Sequence, residues 1–113
     1  MANIYLNAKV DLTTTAITTL YTCPSNSRAI IKSILVCNDS ADVSTITLTL
    51  TNSSSAIFTL FNTNSISPGI TNELLNEALI IQESEILKVT AGNANRLHVI
   101  ASILEINRSD QNG

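Results

Sequence analysis

The sequence predicts an all-β fold, an antiparallel β-sandwich of jelly-roll-like type with about eight strands, and three observations carry that expectation. Residues 28–37 form an almost continuous apolar, β-branched run that reads as a central strand. Residues 43–51 alternate apolar and polar side chains with strict period two. Turn signals recur every 8 to 12 residues along most of the chain, the spacing of short strands folded back on one another.

Composition supports the same class. The chain of 113 residues is read as a single domain, large enough for one core without metal or disulfide support. It is 44% hydrophobic and only 13% charged, while Thr, Ser and Asn together supply 40 residues. Threonine suits strand faces, and serine and asparagine suit turns. With a net charge of −3 and six basic residues scattered singly, the chain lacks the electrostatic footprint that a polyphosphate requires, so no nucleic-acid partner is expected. No apolar run is long enough for a membrane-spanning helix, and the start at Met1 lacks the pattern of a secretory signal, so synthesis in a host cytoplasm and no membrane partner are expected. The Asn-x-Ser triplets at Asn38, Asn52 and Asn107 are then turn chemistry rather than glycan sites.

In chain order, residues 4–10 place Ile4, Leu6, Ala8 and Val10 on one side and Tyr5, Asn7 and Lys9 on the other, a first strand or an N-terminal arm within residues 1–11. Residues 16–22 form a second strand, stopped at Pro24, which cannot continue a ladder. The run 28–37 follows, with Ala29, Ile31 and Leu35 facing one way and Ile30, Ile34 and Val36 the other, so that both faces should be covered. A short apolar run can equally be helical, but the Pro-Ser-Asn-Ser stretch before it and Asn38-Asp39-Ser40 after it favour a strand.

Residues 43–51 direct Ile46, Leu48 and Leu50 inward and Thr45, Thr47, Thr49 and Thr51 outward. An uncharged threonine row guards an edge poorly, so this face should be covered by a neighbouring strand or chain. Residues 52–55 turn the chain, 56–61 return as a fifth strand, and 62–69 form a loop closed by Pro68-Gly69. Residues 71–82 are ambiguous: Glu73, Leu74, Leu75, Asn76, Glu77, Ala78 and Leu79 are read as having good helix propensity, with Leu75 and Leu79 four apart. Two short strands, 71–75 and 79–82, are the preferred reading. Strands at 85–91 and 96–106 follow, the last apolar on both sides, and residues 107–113 form a polar tail.

Chemistry is sparse. His98 is the sole histidine and sits between Leu97 and Val99 in a strand, where a structural role is the default. Glu73 with Glu77 and Glu83 with Glu85 are the close carboxylate pairs, both beside turns and read as solvated. With three glycines in all, no phosphate-cradling loop exists. Cys23 and Cys37 are expected as free thiols, because a hairpin through residues 24–27 would leave them far apart. No enzyme, cofactor or metal site is expected. A β-sandwich lectin would want an aromatic platform, and the chain has no tryptophan.

The span from Leu20 to Ile106 resembles small β-sandwich accessory proteins of tailed-bacteriophage virions. The resemblance rests on residues 20–34 (Leu-Tyr-Thr-Cys-Pro-Ser-Asn-Ser-Arg-Ala-Ile-Ile-Lys-Ser-Ile), 44–51, 79–89 (Leu-Ile-Ile-Gln-Glu-Ser-Glu-Ile-Leu-Lys-Val) and 94–105, about three quarters of the chain. Glu83-Ser84-Glu85 stands where many such proteins have Ala-Gly before the acidic residue. The resemblance implies a head decoration or cement protein on the capsid surface, bound to the major capsid protein and commonly a homotrimer. A neck, tail or fibre module binding a host receptor or glycan is the alternative, for which Tyr5, Tyr21 and the loops at 52–55 and 93–95 would matter. The candidate protein contacts are Ile4, Tyr5 and Leu6 of the first strand, Thr45, Thr47 and Thr49 of the threonine face, and Leu97, Val99 and Ile103 of the last strand.

Overall fold

The computed structural model describes residues 2–107, and these contain nine strands and no helix. They are β1 (Ala2–Leu12), β2 (Thr18–Thr22), β3 (Ser27–Asn38), β4 (Ser44–Thr51), β5 (Ile57–Ile66), β6 (Thr71–Glu73), β7 (Leu79–Ile81), β8 (Ile86–Ala91) and β9 (Leu97–Asn107). One sheet, here sheet A, has the order β1-β9-β3-β6, with β7 also on β3; the other, sheet B, has the order β2-β8-β4-β5. Every pairing is antiparallel. Because β6 and β7 share one edge of β3, the layout is four positions facing four, with most connections crossing between sheets: a jelly roll. The tail expected at 107–113 lies outside the described residues except for Asn107, which closes β9.

Residues 24–27 do not make a hairpin. β2 lies in sheet B and β3 in sheet A, so this loop carries the chain across the sandwich. Cys23 and Cys37 are nonetheless free, the first buried and the second half-buried.

β3 is central, as the apolar run predicts, but its two faces differ. Ile31 lies opposite Ile103 and Ser33 opposite Ser102, so Lys32 is an extra residue, a β-bulge. The bulge resets which side each later residue faces. Ala29, Ile31, Ile34 and Val36 therefore all point inward at 0% exposure, whereas Leu35 is 39% exposed on the outside. The expectation of a strand covered on both faces is corrected by that single inserted residue.

The bulge also decides residues 71–82. β6 pairs with Leu35, Val36 and Cys37, beyond the bulge, and β7 with Ala29, Ile30 and Ile31, before it. The segment between them steps past the irregularity, and the Leu74 N–H donates to the Ile34 carbonyl at 2.9 Å. A helix there would leave this edge of β3 without partners, which outweighs a propensity of a few tenths of a kcal/mol per residue, about the spread among ordinary residues.

β5 runs to Ile66, through the stretch expected to be a loop. Its ladder with β4 shifts twice, and Thr63, at φ 58, donates its N–H to Thr47 Oγ1 at 3.0 Å. Asn38 pins the end of the core where β5 finishes. Its fully buried amide donates to the carbonyls of Asp42 (2.8 Å) and Ile66 (2.9 Å), and its oxygen accepts from Ser40 N–H (3.0 Å) and Oγ (2.7 Å). The core between the sheets is aliphatic, built on Ile31, Ile34, Ile46, Leu48, Leu87, Val89 and Leu97.

Candidate functional site

Among the described residues no group of three His, Cys, Asp or Glu side chains could hold a metal ion. His98 lies 3.7 Å from Asp11 and 4.0 Å from Asp39, all three solvent-exposed. Of the four carboxylates in the two close pairs, Glu77 is exposed, whereas Glu73, Glu83 and Glu85 fasten turns and the bulge. Glu85 accepts the Gln82 N–H at 2.8 Å and Glu83 accepts the Asn26 N–H at 3.0 Å. Glu73 accepts from the Ser33 hydroxyl at 2.5 Å, the Ile34 N–H at 2.8 Å and the Leu75 N–H at 3.1 Å, filling the gap that the β3 bulge opens. Partial burial pushes its pKa up, but those three donors outweigh it and hold Glu73 below the ordinary carboxylate value.

At one end of the sandwich Tyr21 and Cys23 are both buried, and the Tyr21 hydroxyl donates to Glu105 at 2.7 Å. Burial, and then that hydrogen bond, push the Tyr21 phenol well above its ordinary value. Burial raises the Cys23 thiol as well. A thiol and a phenol held protonated are poor nucleophiles, so this cluster fits a structural joint better than a reactive site.

The outer faces of the two sheets are chemically different. Tyr5 lies opposite Leu104, Leu104 opposite Ile30, and Ile30 opposite Ile80, so four apolar side chains form one row across sheet A. Four residues away along β9, past the polar pair Ser33 and Ser102, Ile100 and Leu35 pair on the same face. Tyr5 is 75% and Ile80 54% exposed, a wide apolar stripe for so small a domain. On sheet B, Thr19, Thr49 and Thr59 share one row with Lys88, and Thr47 and Thr90 share another, while the edge strand β5 also exposes Ile57, Phe58 and Leu60. Residues 43–72 contain no charged side chain at all.

The expected contact residues divide accordingly. Ile4 and Tyr5 are exposed and Leu6 half-buried on β1; Thr45, Thr47 and Thr49 are half-buried, on the outer side of β4. β4 is an interior strand, flanked by β5 and β8, so sheet pairing protects its edges. Leu97, Val99 and Ile103 are buried in the core at 0%, 0% and 2% exposure, which removes them as contacts. β9 offers its other face, Ile100 and Leu104, and the sequence carries no signal that separates the two, since both faces of the strand are apolar. Strand directions put the 52–55 loop at one end of the sandwich and the 93–95 loop at the other, and Tyr21 is buried while Tyr5 is not. The residues of a receptor or glycan site are therefore not gathered in one place.

No family model matches the sequence, and no curated protein does. Among solved structures the chain is similar to a chain of the viral particle of infectious bursal disease virus, at 12% identity and TM-score 0.58, covering 94% of this chain and 31% of that one. A chain of the Gx strain of that virus is similar at 12% identity and TM-score 0.54, covering 96% of this chain and 32% of that one. The third is a chain of the Bacillus endospore appendages, a family of disulfide-linked pili, at 6% identity and TM-score 0.53, covering 94% of this chain and 85% of that one. This chain spans about a third of the length of the two viral chains. At such identities the likeness is one of fold: a β-sandwich shared by a viral particle and a bacterial appendage.

Proposed function

We propose that the protein is a virion structural protein that works by adhesion, most simply a capsid decoration or cement protein of a tailed bacteriophage. It is made in the host cytoplasm, sits on the capsid surface as a homo-oligomer, a trimer by the resemblance, and binds the major capsid protein. The observation that carries this reading is the row Tyr5, Leu104, Ile30 and Ile80 across all four positions of sheet A. Such a row offers a dry, flat contact, which an adhesive protein uses and an isolated domain of this size has no need to expose. Fold likeness to chains of a viral particle and of a pilus agrees in kind.

Mixing the purified protein with undecorated heads and sedimenting the shells tests the reading. The wild type should co-sediment, and Ile80→Lys, at an exposed edge position, should lose most of that binding while keeping its β-sheet circular dichroism. A wild type left in the supernatant, or Ile80→Lys binding as well as wild type, overturns the assignment of this face.

A further inference from the structure

The four sheet edges are not equally closed to pairing. β2 has five residues and a register shift, β6 and β7 have three each, and β5 is interrupted twice by irregularities. β1 alone is long and regular: its eleven residues, Ala2–Leu12, pair with β9 without a break from Asn107 to Leu97. Among the described residues its other edge has no strand beside it, and residues 3–8 carry no charge. The core layer is also open there. Ile4 is 47% exposed, and Leu6, Ala8 and Val10 are only half-buried, because the sheet B strand at this side, β2, is less than half as long as β1.

We infer that the free edge of β1 pairs with β1 of a second copy of this chain, antiparallel about a twofold axis at Asn7. Three features select this partner and this register. Asn7 is the midpoint of Ala2–Leu12, so the two strands overlap along their whole length. On the inner side Ile4 then meets Val10 of the second copy, a β-branched pair, and Leu6 meets Ala8, large against small, which closes the open layer. On the outer side Tyr5 meets Lys9, an aromatic face against an ammonium, Asn3 meets Asp11, and the two Asn7 amides meet each other. Lys9 never faces Lys9 nor Asp11 Asp11. Shifting the register by two residues in either direction shortens the ladder and breaks both sets of matches. An isologous contact of this kind joins copies in pairs, whether or not a separate contact groups them in threes.

The inference goes beyond the capsid reading and is tested on purified protein with no shell present. In a Cys37→Ser background, Asn7→Cys puts two thiols on the axis at the 4.5 to 5.5 Å Cα spacing of directly opposed antiparallel residues, about what a disulfide spans. Mild oxidation should give a band of about twice 12.1 kDa on a denaturing, non-reducing gel. Asn3→Cys, whose opposite residue is Asp11, should give none. Asn7→Lys, on an exposed position that leaves the monomer fold alone, should raise the pair's dissociation constant by about tenfold or more by like-charge repulsion, and Asn7→Ser should not. An Asn7→Cys protein that stays single under oxidation overturns the pairing, and Asn3→Cys cross-linking as readily as Asn7→Cys overturns its register.

Discussion

The Tyr21 hydroxyl donates to a Glu105 carboxylate oxygen at 2.7 Å, and since Tyr21 belongs to β2 and Glu105 to β9, the bond ties sheet B to sheet A at the end where β9 finishes. Most of the other fastening across the sandwich is aliphatic packing. A hydrogen bond to a charged group in a partly buried setting contributes about 1.5–3 kcal/mol.

Tyr21→Phe should therefore lower the unfolding free energy at pH 7 by about 1–2 kcal/mol in urea denaturation. The variant also carries a pH signature. The folded state holds the Tyr21 proton to a pH well above the ordinary phenol value of 10.0. Above about pH 10 the unfolded chain loses that proton first, so stability is complete below that pH and falls as pH rises. Cys23, raised for the same reason of burial, pulls in the same direction. The wild type should lose more stability between pH 8 and pH 10.5 than Tyr21→Phe does; equal losses would show that the phenol proton is not held.

Glu73 gives the opposite dependence. Its lowered folded pKa means that its contribution is complete above the ordinary carboxylate value and fades as pH falls through the folded one. Glu73→Gln keeps a side chain of the same shape but offers one acceptor oxygen to three donors. Discounted for its solvent exposure, the change should cost about 1 kcal/mol at pH 7. At a pH below the folded value the two proteins should denature at nearly the same urea concentration. A gap that persists at that pH would assign the cost to packing instead.

Asn38 tests the buried amide. Asn38→Asp preserves volume but replaces two donated bonds, to Asp42 and Ile66, by carboxylate facing carbonyls. We expect a loss of about 3 kcal/mol or more, larger than that of Asn38→Ala, which leaves the carbonyls orphaned without placing a charge among them. Thermal unfolding of the two variants ranks them, and an Asp variant as stable as wild type would contradict the hydrogen-bond assignment.

The strict alternation at residues 44–51 was enough to place β4, with Ile46 and Leu48 inside and Thr45, Thr47 and Thr49 outside, because period two needs no knowledge of partners. Thr51 departs from it, buried at 8% where the strand ends. The faces of β3 were not legible beyond Ile31, since the one-residue bulge at Lys32 depends on how β9 and β6 meet it. At the site, residues apolar on both sides of β9 left two choices, and Leu97, Val99 and Ile103 proved to be the inner set. Glu73 looked like any solvated carboxylate. Its role at the bulge joins residues 40 apart in sequence, a separation that local patterns do not reach. Residues 71–82 show the same limit, where non-local pairing with β3 overrode helix propensity.

The chain has two tyrosines and no tryptophan, and they occupy opposite environments: Tyr21 buried against a carboxylate, Tyr5 open to solvent on the outer face of β1. Near-ultraviolet optical signals are thus already resolved by location. A Tyr5→Phe protein would leave a fluorophore that reports whether the two layers remain joined, and a Tyr21→Phe protein one that reports events at the outer strand, without any attached dye.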